Sequence, residues 1–117
     1  MYTNDLKTRT FRFAVNVGKL VAILSNSTIN RSYSSQIVRS SASVGANYRA
    51  ALRAKSTADF INKLKIVEEE TDETIYFLQL LGEFNPTDQS QINLLIDEGT
   101  QILRMMVAAI VKVRNRK

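Results

Sequence analysis

Carboxylates crowd one short stretch of this 117-residue sequence: Glu68, Glu69, Glu70, Asp72 and Glu73. Oxygen ligands so close together could hold a divalent cation such as Mg²⁺. On a helix, however, five acids within six positions fan out in all directions rather than converging, so a solvated or ion-paired face is the better reading. Ser40, Ser41 and Ser43 offer hydroxyl nucleophiles, but no activating base accompanies them in sequence. The chain has no histidine and no cysteine. That removes thiol nucleophiles, imidazole bases and the usual zinc ligands, as well as the Glu-x-x-His pairs of di-iron bundles. There is no Walker-type glycine loop, and Gly45 stands alone. The expectation is a protein without catalytic residues, metal or cofactor.

Basic residues are the remaining chemistry. Lys and Arg number 16 against 11 acids, a formal charge of +5, and their distribution is uneven. Residues 6 to 58 hold nine Lys or Arg and no acid, while ten of the eleven acids lie from Asp59 onward. What this asymmetry does depends on the elements that carry it. Glycine is scarce and Pro86 is the single proline, so turns are few and the elements are long, which favours helices. With no cysteine there is no disulfide framework. Met1-Tyr-Thr-Asn-Asp-Leu-Lys lacks the layout of a signal peptide. The longest apolar run, Met105 to Val111, is far short of the roughly 20 residues of a membrane span. A cytoplasmic protein with no membrane partner is expected.

Four helical segments can be read. The first runs from about Asp5 to Ser25, with Phe13, Val17, Leu20, Ile23 and Leu24 at the spacing of a one-sided helix. The polar stretch Asn26 to Ser35 breaks it and supplies N-cap candidates at Ser32 and Ser34, so the second helix is placed at about Ser34 to Arg53. Its many small residues suit close approach of a neighbouring backbone, which would explain Gly45. Ser56 opens the third helix with Asp59 three positions on, a start resembling a capping box. Phe60, Leu64, Val67, Thr71, Thr74, Leu78 and Leu81 then form a heptad-like seam, and Gly82 is a candidate C-terminal cap. Asn85 before Pro86 reads as the cap of the fourth helix. Ile92, Leu95, Ile96, Gly99, Ile102, Leu103, Met106, Ile110 and Val113 line one face of it. Its second half is apolar nearly all round, which suggests a subunit interface. Residues 1–117 thus form a single domain, an all-α antiparallel up-down-up-down four-helix bundle.

Folding the second and third helices back near Lys55 puts Arg39 level with Asp72 and within a turn of Glu69 and Glu73, so a mid-bundle polar network is expected. Turns near residues 30 and 85 gather three basic groups at one pole. These are Lys7, Arg9 and Arg12; Arg49, Arg53 and Lys55; and Lys112, Arg114, Arg116 and Lys117. The opposite pole sets Arg31 against Glu83 and Asp88. A clustered positive surface is an electrostatic footprint for RNA, DNA or another polyanion, with Arg49, Arg53, Lys55, Arg114, Arg116 and Lys117 as candidate phosphate contacts. The plainer alternative is that cations near helix C-termini serve solubility and the helix dipole.

The stretch Gln36-Ile-Val-Arg-Ser-Ser-Ala-Ser-Val-Gly-Ala-Asn-Tyr-Arg-Ala, with Ser56-Thr-Ala-Asp-Phe-Ile-Asn-Lys-Leu-Lys-Ile and Asp72-Glu-Thr-Ile-Tyr-Phe-Leu-Gln-Leu-Leu, resembles the bacterial 23S rRNA intervening-sequence proteins. The likeness covers about residues 9 to 85, and the fourth helix matches only in character. The resemblance implies a four-helix subunit assembling with itself into a ring-like homopentamer, with nucleic-acid binding the usual suggestion for its role. A related bundle is the accessory protein of a retroelement reverse transcriptase, so a nucleic-acid enzyme is a second candidate partner. Gln36, Arg39, Ser43, Asn47, Arg49 and Glu73 match the family pattern, and no catalytic residue carries over. Arg39, Asn47 and Glu73 are expected in a structural polar network or a subunit contact.

Overall fold

A computed structural model describes the backbone of residues 2–116 and the side chains from Leu6 to Arg116. Four helices account for nearly all of it: α1 (Tyr2–Ile23), α2 (Thr28–Ala51), α3 (Thr57–Phe84) and α4 (Gln89–Arg114), with a 3₁₀ turn at Pro86–Asp88 leading into α4. Each helix packs against two others, α1 and α3 both contacting α2 and α4. The result is a bundle 51 Å long and 20 Å across in both other directions. Among the described residues no helix is long and apolar enough to cross a membrane.

The apolar stripes meet along the bundle axis. Phe13, Val17 and Leu20 of α1 pack with Ile37, Val44 and Tyr48 of α2, Leu64, Val67, Leu78 and Leu81 of α3, and Ile92, Ile102 and Met106 of α4. The seam of α3 points inward as its spacing predicts, including Thr71 and Thr74, which are fully buried. Their hydroxyls donate back to the carbonyls of Val67 and Glu70, and Thr74 also meets Ser40 Oγ of α2 at 2.7 Å. Among the described residues no buried side-chain nitrogen or oxygen lacks a partner, which removes the desolvation cost that such groups would otherwise impose.

Four local expectations need correction. The second helix starts six residues before Ser34, because Ser27 is its cap: Ser27 Oγ accepts from the Asn30 N–H at 3.0 Å. Gly82 caps nothing; it is buried inside α3, which runs on to Phe84, and no described residue has positive φ. Asn85 does not cap the following turn with its side chain, because that side chain points into the protein. Gly45 lies over the backbone of Thr10, yet a Cβ there would meet it at 3.5 Å, ordinary contact distance. The crowded glycine is Gly99, where a Cβ would come within 3.0 Å of Ile75 and 3.2 Å of Phe13. At the start of α3, by contrast, Ser56 Oγ accepts from the Asp59 N–H as foreseen, while Asp59 Oδ2 returns to the N–H of Lys55, one residue before the cap, rather than to that of Ser56 as in a capping box.

Candidate nucleic-acid interface

The sharp return between α2 and α3 sets one end of the bundle. Arg53 and Ala54 donate their N–H groups to the carbonyls of Ala50 and Ala51, and the Asp59 carboxylate holds the next N–H, that of Lys55. Lys55 therefore projects from a fixed backbone. The last turns of α4 arrive beside it carrying Lys112, and Arg116 follows just past the end of that helix. Lys55, Lys112 and Arg116 surround a groove of about 620 Å³ whose apolar lining includes Ala51, Phe60, Ala109 and Val113. Next to it, Arg49 of α2 faces Lys7 of α1 across a smaller groove of about 230 Å³ lined also by Phe11.

Of the six candidate phosphate contacts, Lys55 and Arg116 thus share one groove and Arg49 borders the second. Arg53 and Arg114 are exposed at the same pole but line neither. Arg114 lies two residues from Lys112, which turns it to another side of α4. Lys117 lies outside the described residues. Lys112, Lys7 and the aromatic Phe60 are the members that the candidate set lacked. The four-residue interval between Lys112 and Arg116 was the available signal for the first.

Arg9 does not belong to the free positive surface. Its guanidinium forks onto Glu98 of α4 at 2.6 and 2.8 Å, donates to Gln101 Oε1 at 2.9 Å and reaches the Met105 sulfur. This two-pronged pair ties α1 to α4. Asp59, an acid at this pole, is held below the ordinary carboxylate range by the Lys55 N–H and then by Lys63, whose Nζ donates at 3.0 Å.

Midway along the bundle, Arg39 bridges α2 to α3, donating to Glu73 and to Glu70 at 3.3 Å. Hydrogen bonding to Glu73, then the charge of Glu70, raises its already high pKa. The partners are these two rather than Asp72, and the bridge is half-exposed, where screening leaves such pairs little net energy. Asn47 takes no part: its Nδ2 donates to the carbonyl and hydroxyl of Ser43 within α2. With Glu70 and Glu73 engaged, the acidic run is an ion-paired and solvated face. Among the described residues no cluster of three or more His, Cys, Asp or Glu could hold a metal.

The far pole is organised by two amides. Asn30 Nδ2 donates to Asn85 Oδ1 at 2.9 Å and Asn85 Nδ2 to Asn30 Oδ1 at 2.8 Å; both are buried. Each amide also reaches a carbonyl, Asn30 that of Ser25 and Asn85 that of Leu81. Arg31, expected against Glu83 and Asp88, instead donates to Asn26 just before α2 and to Thr28 in the first turn of α2.

The sequence pattern of the 23S rRNA-intervening sequence proteins matches residues 3–108. A crystal structure from Bacteroides thetaiotaomicron VPI-5482, described as a protein with unknown function from the S23 ribosomal protein family, is similar with a TM-score of 0.80. It is 35% identical, over 90% of this chain and 97% of that one. No curated protein matches. A family pattern spanning all four helices, together with a related bundle of the same fold, shows that the chain belongs to the 23S rRNA-intervening sequence protein family.

Proposed function

We propose that this protein is a non-catalytic cytoplasmic oligomer that binds nucleic acid, RNA or DNA, through its basic pole. The observation behind this reading is the convergence of Lys55, Lys112 and Arg116 on one groove, with Lys7 and Arg49 on the next. These residues come from the start of α1, the α2–α3 turn and the end of α4, so one local basic run does not account for the cluster. Neutralising phosphates with such side chains releases counterions, and affinity then falls steeply with salt.

Support for self-association, in the family's case as a ring-like pentamer, lies along α1 and α2. Phe11, Gly18, Ala22, Ala42 and Ala46 are exposed there, and a Cβ at Gly18 would meet nothing within 4 Å. Nothing within the subunit requires glycine at that mid-helix position. A ring would also multiply the number of basic poles that one strand can touch.

A second reading, an accessory subunit docking a nucleic-acid enzyme, is favoured by the exposed apolar side chains of α4, Leu94 at 70% and Val111 at 50% exposure. Fluorescence anisotropy with labelled RNA and DNA from low to physiological salt tests the first reading. Affinity that declines linearly in log–log form is expected, and no binding of any probe at low salt overturns it. Sedimentation showing a monomer at micromolar concentration would count against both readings.

A further inference from the structure

The larger groove at the basic pole is more than a charged surface. Its rim is cationic, with Lys55, Lys112 and Arg116, while its floor is apolar, with Ala109, Val113 and the ring of Phe60. Its volume of about 620 Å³ falls in the range typical of small-molecule sites, ~300–1,000 Å³. A duplex presents phosphates and sugars to such a mouth but keeps its base faces stacked inside, and would leave the apolar floor without a flat partner. An unpaired nucleotide has both parts that the groove matches: an anionic phosphate for the rim and a flat aromatic base for the floor, where stacking is indifferent to sequence. The remaining cations at the pole, Lys7 and Arg49 beside the second groove and exposed Arg53 and Arg114, carry positive charge beyond this one groove. That extended track suits a continuous phosphate backbone better than a short acidic peptide.

We propose that this groove takes up one unpaired nucleotide of a bound strand, its base against Phe60 and its phosphate among Lys55, Lys112 and Arg116. The proposal rests on the nucleic-acid reading above and narrows it to strands with unpaired positions: single strands, bulges and ends.

The test uses three RNA probes on the full-length protein by anisotropy: a single strand, a perfect duplex, and the same duplex with one bulged nucleotide. The bulged duplex should bind more tightly than the perfect one. Phe60→Leu keeps an apolar floor and removes the π face. It should weaken binding of the bulged and single-stranded probes by roughly fivefold or more, the lower end of a lost base–aromatic stack, and leave the perfect duplex unchanged. Phe60 also packs against the core, so thermal melting must show that the variant folds. Independently, 4-thiouridine at the bulge, irradiated on the unaltered protein, should crosslink to the peptide containing Phe60. Equal affinity for all three probes, with crosslinks mapping elsewhere, overturns the nucleotide proposal while leaving polyanion binding intact. Failure of every probe at low salt overturns both, as does an acidic amphipathic peptide occupying the groove of a protein that binds no RNA.

Discussion

Replacing Asn85 with alanine tests how the far pole is held. Asn85 supplies the donor to Asn30 Oδ1 and accepts from Asn30 Nδ2, at a site where Asn30 is 4% exposed. Water cannot readily take over there. Stranding the Asn30 oxygen costs about 1–3 kcal/mol, and losing the bonds to Asn30 and Leu81 adds about 1 more, for a total of roughly 2–4 kcal/mol. Asn30→Ala should cost a similar amount, because it strands Asn85 Oδ1 and frees the Ser25 carbonyl. In the double variant neither amide is left to strand, so its loss should fall short of the sum of the singles by about 1–2 kcal/mol. Urea unfolding followed by circular dichroism, at one fixed protein concentration because association couples to stability, gives all four corners of the cycle. Each single change should also lower Tm by something near 4 °C per kcal/mol in a domain of this size. Additivity within about 0.5 kcal/mol would refute the reasoning, since it would mean the two amides act independently.

Further outcomes follow from other parts of the bundle. Gly99→Ala should destabilise, since its Cβ would crowd Ile75 and Phe13, whereas Gly45→Ala should be neutral or stabilise by up to about 1 kcal/mol; thermal melts of the two distinguish crowding from helix propensity. Gly18→Ala should raise helix stability by a similar amount, while Gly18→Leu should break self-association, read by sedimentation velocity, if that face is the subunit contact. The triple change Lys55→Gln, Lys112→Gln and Arg116→Gln should lower the slope of log affinity against log salt by about 2 for a single-stranded probe. An unchanged slope would show that these cations do not meet phosphate. Because Asp59 has a depressed folded pKa, its contribution to stability is present above its ordinary value of 3.8 and is lost as pH falls below that through the folded value. Asp59→Asn should flatten that acid limb of the unfolding profile and, by removing an acid from the basic pole, tighten polyanion binding at pH 7.

What the sequence made legible was what local periodicity encodes. The seam from Leu64 to Leu81 and the inward face of α4 follow from spacing alone, as does the Ser56–Asp59 cap, whose partners are all within four residues. The start of α2 was not legible because Ser27, Ser32 and Ser34 are equally good caps in isolation. The choice of Ser27 brings Asn30 to Asn85, 55 residues away. Reading Asn85 as a helix cap before Pro86 missed the same long-range tie. At the candidate site, the gathering of basic side chains was legible from helix lengths and turn positions. Which of them share a groove was not, because that depends on rotation of α4 about its axis. Arg9 shows how a misplaced turn propagates: with the first turn near residue 30 it stands level with about residue 110, whereas the actual α1–α2 connection at 24–27 lowers the match to the height of Glu98 and Gln101.

The reciprocal amides give the two ends of this rod unequal mechanical character. One tip has its two loops stitched together through the interior; the other is closed by a short hairpin and by side chains that repel each other. Amide hydrogens near Arg114, at the open end of α4, should therefore exchange with deuterium sooner than those near Asn30 and Leu81. The end of α4 would breathe first, where Lys112 and Arg116 sit, and a bound polyanion would act there as a clasp.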